Sequence, residues 1–169
     1  IDLSNPLAPV SRGYLTGVGA ILTPGFVQKS GGSNIIVATK GSNIFAYIAD
    51  SYKRSLHIVN VTNPANPVLQ QTISNVEGLG DSRGIALFGD YAIVPFIDPP
   101  NTLTTQGLVA FDVSNPLLPI KVNSFLRSNA RDGVLLSSPS SIFVSGNHAY
   151  VTNTGQYPNL ATINLNSPE

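Results

Sequence analysis

A ten-residue phrase recurs along the chain and constrains its fold more than any other feature. The phrase reads IDLSNPLAPV at 1–10, VNVTNPANPV at 59–68 and FDVSNPLLPI at 111–120, and a shortened copy, NLNSPE, lies at 164–169. The matching prolines of the four copies are 58, 52 and 52 residues apart. Self-similarity at a fixed period is the sequence signature of a repeat architecture, so the chain is expected to consist of repeated structural units.

Each phrase predicts the end of a β-strand followed by a turn. In LHIVNVTNP, at 56–64, apolar residues alternate with other residues, and Asn63-Pro64 follows at once. Asn favours turns through side-chain hydrogen bonds to its own backbone, and Pro lacks the N–H that a central strand needs. The phrase therefore marks a bend between two strands.

A second repeated element predicts a β-hairpin in each unit. It reads VATKGSNIFAYIAD at 37–50, SRGIALFGDYAIVPF at 82–96 and PSSIFVSGNHAYVTN at 139–153, with a glycine-containing turn between two β-rich runs. Together the two elements predict four strands per unit. In the second unit these are expected at about 83–88, 90–97, 107–113 and 119–126.

A period of roughly 40–50 residues with four short strands is typical of a β-propeller blade. The alternative is a β-sandwich, which also uses short strands and frequent turns. A sandwich does not require the same phrase at nearly equal intervals, and the spacing therefore favours an all-β fold of propeller blades, each with four antiparallel strands.

The repeated segments resemble the LVIVD-repeat β-propellers of bacterial and archaeal secreted or surface proteins. The family pattern GxxAYVADxxxGLxVVDVSNPxxPxxVG is similar to SGNHAYVTN at 145–153, GLVAFDVSNPLLPIKV at 107–122 and SLHIVNVTNPANPVLQ at 55–70. The resemblance implies a propeller fold and an extracellular or cell-surface location. The resemblance is specific for the fold. It implies no reaction, because the repeated residues of the family are structural. The last copy departs from the pattern, because Ser167-Pro168 replaces Asn-Pro.

The phase of the repeat predicts about three blades in permuted order within a single segment, 1–169. The blade repeats are expected at about 17–73, 74–126 and 127–166, and 1–16 is expected to complete a neighbouring or last blade. A closed propeller typically has four to eight blades. Closure is therefore expected to need further blades, from a larger propeller or from other copies of the chain.

Composition argues against several classes of partner and site. Nine basic and nine acidic residues cancel, and only 11% of residues are charged, against roughly 25% in an average globular protein. No charge run suggests binding to nucleic acid, and no apolar stretch of about 18 residues suggests membrane insertion. The absence of cysteine excludes disulfides, thiolate metal sites and Cys nucleophiles in these 169 residues.

Candidate binding residues lie in loops expected to gather on one face of the propeller. Asp81 with Arg83, and Arg131 with Asp132, occupy similar places in successive inter-blade loops, and Asp50 and Asp98 end equivalent strands. Such groups could hold a polar ligand, a carbohydrate or a cation. The alternative is that these Asp and Arg side chains pair across neighbouring blades and cap strand ends.

No cofactor is predicted. The carboxylates could ligate calcium, but no DxDxDG-type spacing supports a calcium site. His57 and His148 are expected to be strand residues rather than catalytic bases. The aromatic residues of the hairpin strands are expected in inter-blade cores, the alternative being sugar-stacking platforms; these are Phe45, Tyr47, Tyr91, Phe143 and Tyr150. Asn60-Val61-Thr62 fits a glycosylation sequon.

The sequence therefore favours a non-catalytic binding or structural module that presents polar loops to a protein or a glycan. One alternative is a propeller hydrolase or lactonase with an acidic or metal site at the channel mouth, for which three or more converging carboxylates would be evidence. Another is a structural subunit of a larger extracellular assembly.

Overall fold

The regular elements of the chain are β-strands, as the alternation of apolar residues predicts. The structure is a computed structural model, and it describes residues 34–77, 79–98, 106–126, 136–155 and 159–166. Within these ranges the strands form three antiparallel sheets and no helix occurs.

Sheets 1 and 2 each contain four strands in sequence order, so neighbours along the chain are neighbours in the sheet. Sheet 1 consists of β1 (Asn34–Lys40), β2 (Asn43–Asp50), β3 (Ser55–Asn60) and β4 (Val68–Ile73). Sheet 2 consists of β5 (Ala86–Phe88), β6 (Tyr91–Ile97), β7 (Gln106–Asp112) and β8 (Ile120–Leu126). The four strands predicted for the second unit are therefore confirmed to within three residues at each end.

Sheet 3 has three strands among the described residues, which are β9 (Pro139–Ser145), β10 (His148–Asn153) and β11 (Asn159–Asn164). His148 begins β10 and His57 lies inside β3, as predicted. Residues 1–16, which are expected to complete a neighbouring or last blade, lie outside the described residues.

The sheets stack face to face, with a hydrophobic core in each of the two gaps. Between sheets 1 and 2 the core includes Tyr47, Ile58, Val94 and Phe111. Between sheets 2 and 3 it includes Leu108 and Val151 among its members. Burial of a large aliphatic or aromatic side chain contributes about 1.5–3 kcal/mol, so these two cores are the main source of stability. Sheet 2 is consequently covered on both faces, and every residue from Ala92 to Ile97 is buried.

The sheets have two chemically different ends. At one, which we call the hairpin end, the turns that follow β1, β5 and β9 each start with a glycine of positive φ, at 60°, 56° and 54° for Gly41, Gly89 and Gly146. Glycine adopts this left-handed conformation without steric cost. The opposite end, which we call the loop end, is where β2, β4, β6, β8 and β10 end and where β3, β5, β7, β9 and β11 begin.

The recurring phrase closes the hairpin end with two consecutive side-chain turns. In sheet 2, Asp112 Oδ1 accepts a hydrogen bond from the Ser114 N–H at 2.8 Å, and Asn115 Oδ1 accepts one from the Leu117 N–H at 3.0 Å. Sheet 1 repeats the arrangement with Asn60 and Asn63 as acceptors. The phrase recurs because each sheet needs the same reversal of direction.

The expectation that all five hairpin aromatics lie in inter-blade cores is only partly right. Phe45 and Tyr47 are buried between sheets 1 and 2. Tyr91 is exposed because it starts its strand beside the turn, and Phe143 is exposed because it lies on the face of sheet 3 that points away from sheet 2. Tyr150 pairs with Phe143 on that face and is half-buried.

Candidate functional site at the loop end

Buried polar side chains concentrate at the loop end. Among the described residues nine polar or charged side chains are buried, and each lies in a loop at this end or within three residues of one. They are Asp50, Ser51, Ser55, His57, Ser82, Asp98, Gln106, Ser137 and Asn153. Burial of a polar group raises the free energy of the folded chain unless the group is hydrogen-bonded, so these side chains are expected to have hydrogen-bond partners nearby.

Asp98 joins sheet 2 to sheet 1. It follows the last residue of β6, and its Oδ2 accepts a hydrogen bond from Arg54 Nη2 at 3.0 Å, while its Oδ1 accepts one from the Gly80 N–H at 2.7 Å. The Asp98 side chain is 7% exposed and the Arg54 side chain is 42% exposed. A single carboxylate thus ties together the turn after β2, the loop between the sheets and the end of β6.

Sheet 3 is attached to sheet 2 in a similar way, through the amide side chain of Gln106, and the amide of Asn153 holds the same segment from within sheet 3. Gln106 Oε1 accepts a hydrogen bond from the Ser138 N–H at 2.7 Å, and Asn153 Oδ1 accepts one from the Ser137 N–H at 3.1 Å. Gln106 begins β7 and Asn153 ends β10, so the segment before β9 is held from both sides. The loop end is therefore fixed in position by side chains rather than by strand pairing.

A second buried group lies at the loop end of sheet 1. Asp50 Oδ1 accepts hydrogen bonds from the Tyr52 and Lys53 N–H groups, both at 3.0 Å, and fixes the turn after β2. Its Oδ2 lies 3.4 Å from His57 Nε2, and His57 Nδ1 is hydrogen-bonded to Thr72 Oγ1 at 2.9 Å. Burial lowers the pKa of His57, and the hydrogen bond and charge of Asp50 oppose that shift only in part. The imidazole is consequently neutral at pH 7. Through its contacts with Asp50 and Thr72 it connects β3 with β2 and β4.

The repeats match a known family along most of the described chain. A sequence model of the LVIVD repeat matches residues 36–74, 79–126 and 138–157. This chain belongs to the LVIVD-repeat family. The three matches fall on sheets 1, 2 and 3 in turn, which identifies each sheet as one repeat of a β-propeller fold. A comparison with curated proteins gives no match.

The LVIVD-repeat match lets the predicted site residues be placed within the repeats. Asp50 and Asp98 each lie nine residues after the hairpin glycine of their sheet, so they occupy equivalent positions. Asp81 and Arg83 pair with each other at 2.9 Å within one loop, with side chains 33% and 42% exposed. Arg131 and Asp132 lie outside the described residues.

The structure brings three of the predicted residues into one region. Asp98 binds the backbone of Gly80, which directly precedes Asp81, and Arg83 pairs with Asp81. Asp50 lies at the equivalent place in sheet 1, where it binds its own turn and His57. The ion pair that links neighbouring sheets, Arg54 with Asp98, uses an arginine that the sequence did not single out.

Tyr52 is the other residue of the loop end that sequence reasoning missed. It lies in the turn fixed by Asp50 and is 61% exposed. An aromatic residue in the short turn DSYKRS, between two predicted strands, was the available signal. Its exposure differs from that of Tyr47, on the preceding strand, which is fully buried.

The described residues give no evidence for a metal site. Within the described ranges, no three or more His, Cys, Asp or Glu side chains are grouped so that they could hold a metal ion. The described residues likewise contain no helix that is long and apolar enough to cross a membrane.

Proposed function

We propose that this LVIVD-repeat segment is a non-catalytic binding module that presents the loop end of its blades to a protein or a glycan. The observation that carries the proposal is the concentration of buried polar side chains at that end. Asp50, Asp98 and Gln106 are among those that are hydrogen-bonded, whereas the Ser51 and Ser82 hydroxyls have no partner among the described residues. Loops held on a rigid scaffold are the usual place for binding residues in repeat folds.

Exposed groups beside the buried network support the proposal. Tyr52 is 61% exposed on the turn that Asp50 fixes, and Arg54 projects from the same turn with 42% of its side chain exposed. Asp81 and Arg83 lie in the adjoining loop. A fixed tyrosine supplies contact area at low cost in conformational entropy, and neighbouring charged groups supply hydrogen bonds. Since the face of a sugar ring is apolar and its rim is polar, this combination favours a glycan.

The proposal extends to the location of the chain and to two kinds of partner that it does not include. An extracellular or cell-surface location is part of the proposal, and the secreted or surface setting of LVIVD-repeat propellers supports it. A net charge of zero and the scarcity of basic residues favour neither nucleic acid nor an anionic membrane as the ligand. No cofactor is required for binding of this kind, and calcium is not part of the proposal.

A glycan array probed with the labelled 169-residue chain tests the proposal. The wild-type chain is expected to bind a subset of glycans, and Tyr52→Ala and the double variant Asp81→Asn, Arg83→Gln are expected to lose at least tenfold in signal. The matched control is Lys40→Gln, Asp90→Asn, which removes an ion pair at the hairpin end. The control is expected to bind as the wild type does.

Equal loss in the control and in the loop-end variants would contradict the assignment of the site to the loop end. Absence of binding to every glycan would contradict the glycan and leave a protein as the ligand class. Circular dichroism of each variant establishes that loss of binding does not reflect unfolding.

A further inference from the structure

One copy of the recurring phrase carries a tripeptide that the other copies lack. The second copy reads Asn60-Val61-Thr62, where the third copy has Asp112-Val113-Ser114 and the first has DLS at 2–4. The pattern Asn-x-Ser/Thr, with x other than proline, is the acceptor sequence for N-linked glycans. No second tripeptide of this kind occurs in the 169 residues, so Asn60 is the one acceptor that the sequence offers.

The fold uses only the oxygen of the Asn60 side chain. Asn60 Oδ1 accepts a hydrogen bond from the Thr62 N–H at 2.9 Å, which closes the first side-chain turn at the hairpin end of sheet 1. In sheet 2 the Asp112 carboxylate accepts the equivalent bond from the Ser114 N–H at 2.8 Å. Since a carboxylate makes the same turn, the turn does not require the amide nitrogen of Asn60.

The Asn60 amide nitrogen is in contact with solvent. Among the described residues it makes no hydrogen bond. The buried side-chain nitrogen and oxygen atoms that lack a partner in the described part of the chain belong to Tyr47, Ser51 and Ser82, and Asn60 Nδ2 is not one of them. An N-linked sugar is attached to this nitrogen. Attachment therefore displaces solvent and breaks no hydrogen bond of the described chain.

The turn that contains Asn60 has space for a bulky group. Residues 62–66, which follow it at the hairpin end, are exposed. Asn60 pairs with Val68 on β4, the last strand of sheet 1, where Val68 is 45% and Leu69 is 41% exposed. An open strand edge with apolar side chains favours association with other chains. A hydrophilic glycan at Asn60 is expected to cover this part of the edge.

The Thr62 hydroxyl is engaged once the chain has folded. Thr62 Oγ1 accepts a hydrogen bond from the Ile44 N–H at 2.8 Å and lies 3.4 Å from Asn43 Oδ1. The hydroxyl residue is part of the sequence that the transferring enzyme recognises. Transfer is therefore expected on the unfolded chain, before this hydroxyl binds the backbone of β2.

We propose that Asn60 is the attachment site of an N-linked glycan. The co-reactant is an oligosaccharide carried on a lipid pyrophosphate. Asn60 Nδ2 forms a bond to the anomeric carbon, the bond from that carbon to the phosphate oxygen breaks, the lipid pyrophosphate leaves, and one amide proton passes to a base of the transferase. The product retains Oδ1, so the turn to the Thr62 N–H can still form. The proposal rests on the extracellular or cell-surface location proposed above and is independent of the ligand at the loop end.

Secretion of the chain from a eukaryotic host that adds N-linked glycans tests the site. The wild-type chain is expected to carry one glycan, detected as a mass above 17.8 kDa that peptide N-glycosidase removes. This enzyme converts the glycosylated asparagine into aspartate, so peptide mass spectrometry assigns the position. Thr62→Ala is expected to be secreted without the glycan, because the hydroxyl residue of the acceptor sequence is lost.

Asn60→Asp is the matched control for folding. It supplies the carboxylate acceptor that Asp112 supplies in sheet 2, so it is expected to fold and to carry no glycan. Circular dichroism and thermal unfolding establish that it is folded. A secreted, folded wild-type chain without a glycan at Asn60, or a glycan that persists in Asn60→Asp, would each overturn the proposal.

The glycan array separates this proposal from the proposed function. Asn60 lies at the hairpin end, opposite the loop end, so Asn60→Asp is expected to bind the array as the wild type does. Loss of array binding in Asn60→Asp would contradict a modification that leaves the loop end free.

Discussion

The loop end and the hairpin end of the sheets are held by interactions of different range. At the hairpin end the acceptor and donor are two residues apart, as in Asp112 with Ser114. At the loop end Arg54 and Asp98 are 44 residues apart, and Gln106 and Ser138 are 32 apart. The recurring turns of the hairpin end are therefore a local property of each repeat, whereas the contacts of Asp98 and Gln106 at the loop end form only when neighbouring repeats pack together.

The largest effect is expected from removal of the Asp98 carboxylate. Asp98→Ala leaves the partly buried Gly80 N–H without its acceptor and releases Arg54. A lost hydrogen bond to a charged group costs about 1.5–3 kcal/mol and the partly buried donor adds to this, so a loss of roughly 2–4 kcal/mol is expected. Chemical denaturation of the variant measures the change in free energy of unfolding.

Asp90→Ala is the matched control at the hairpin end, where Asp90 pairs with Lys40 on the surface. Exposed ion pairs contribute about 0–1 kcal/mol. Equal destabilisation by the two substitutions would remove the distinction between the two ends.

A smaller difference is expected between the glycines at the two ends of β10. A Cβ on Gly155 would lie 2.8 Å from the Ser137 carbonyl oxygen, so Gly155→Ala forces the backbone of the loop end to move, at about 1–3 kcal/mol. A Cβ on Gly146 would contact no atom within 4 Å. Gly146→Ala is therefore expected to lower the free energy of unfolding only by the cost of its positive φ, about 1 kcal/mol.

Gly146→Asn separates these two causes, because Asn tolerates a positive φ better than Ala does. Thermal unfolding should show Gly146→Asn nearest to the wild type and Gly155→Ala furthest from it. A reversed order would show that the approach of Gly155 to Ser137 is not a tight contact.

The smallest effect at neutral pH is expected for His57, because its contribution to the free energy of unfolding changes only when the pH falls. Burial lowers the pKa of His57 in the folded chain, so the unfolded chain binds more protons below the ordinary His pKa of about 6.5. Stability is then fully present above that pKa and falls as the pH drops below it. Free energies of unfolding between pH 7.5 and 5 should decline in the wild type and decline less steeply in His57→Gln.

His148→Gln is the control for this measurement, because His148 is exposed at the start of β10. It should retain the wild-type slope. An identical slope in His57→Gln would mean that another group causes the decline.

The contrast between the two ends also explains what could be predicted from the sequence. The turns made by Asn63 and Asn115 use residues that recur at a fixed spacing, so the sequence alone predicts them and the four-strand unit. Arg54 pairs with a carboxylate 44 residues away, and nothing in the repeat specifies that partner.

The hairpin aromatics show the same limit for packing. Phe143 lies in a run of apolar residues, Ile142-Phe143-Val144, which predicts a place in a core. Whether such a residue is covered depends on a neighbouring sheet, and pattern within one strand carries no information about that neighbour. Asp81 and Arg83 were predicted as a pair of loop residues, but their pairing with each other, rather than across sheets, depends on loop geometry.

The self-contained turns of the recurring phrase have a consequence for how such chains change in evolution. A duplicated repeat carries its own hairpin end, complete with the acceptors at the positions of Asp112 and Asn115, and needs no change elsewhere to fold there. A duplicated loop end forms a contact such as that of Asp98 with Arg54 only where the neighbouring repeat supplies the partner. Duplication can therefore change the number of blades, but the polar contacts between neighbouring sheets depend on which repeats become neighbours.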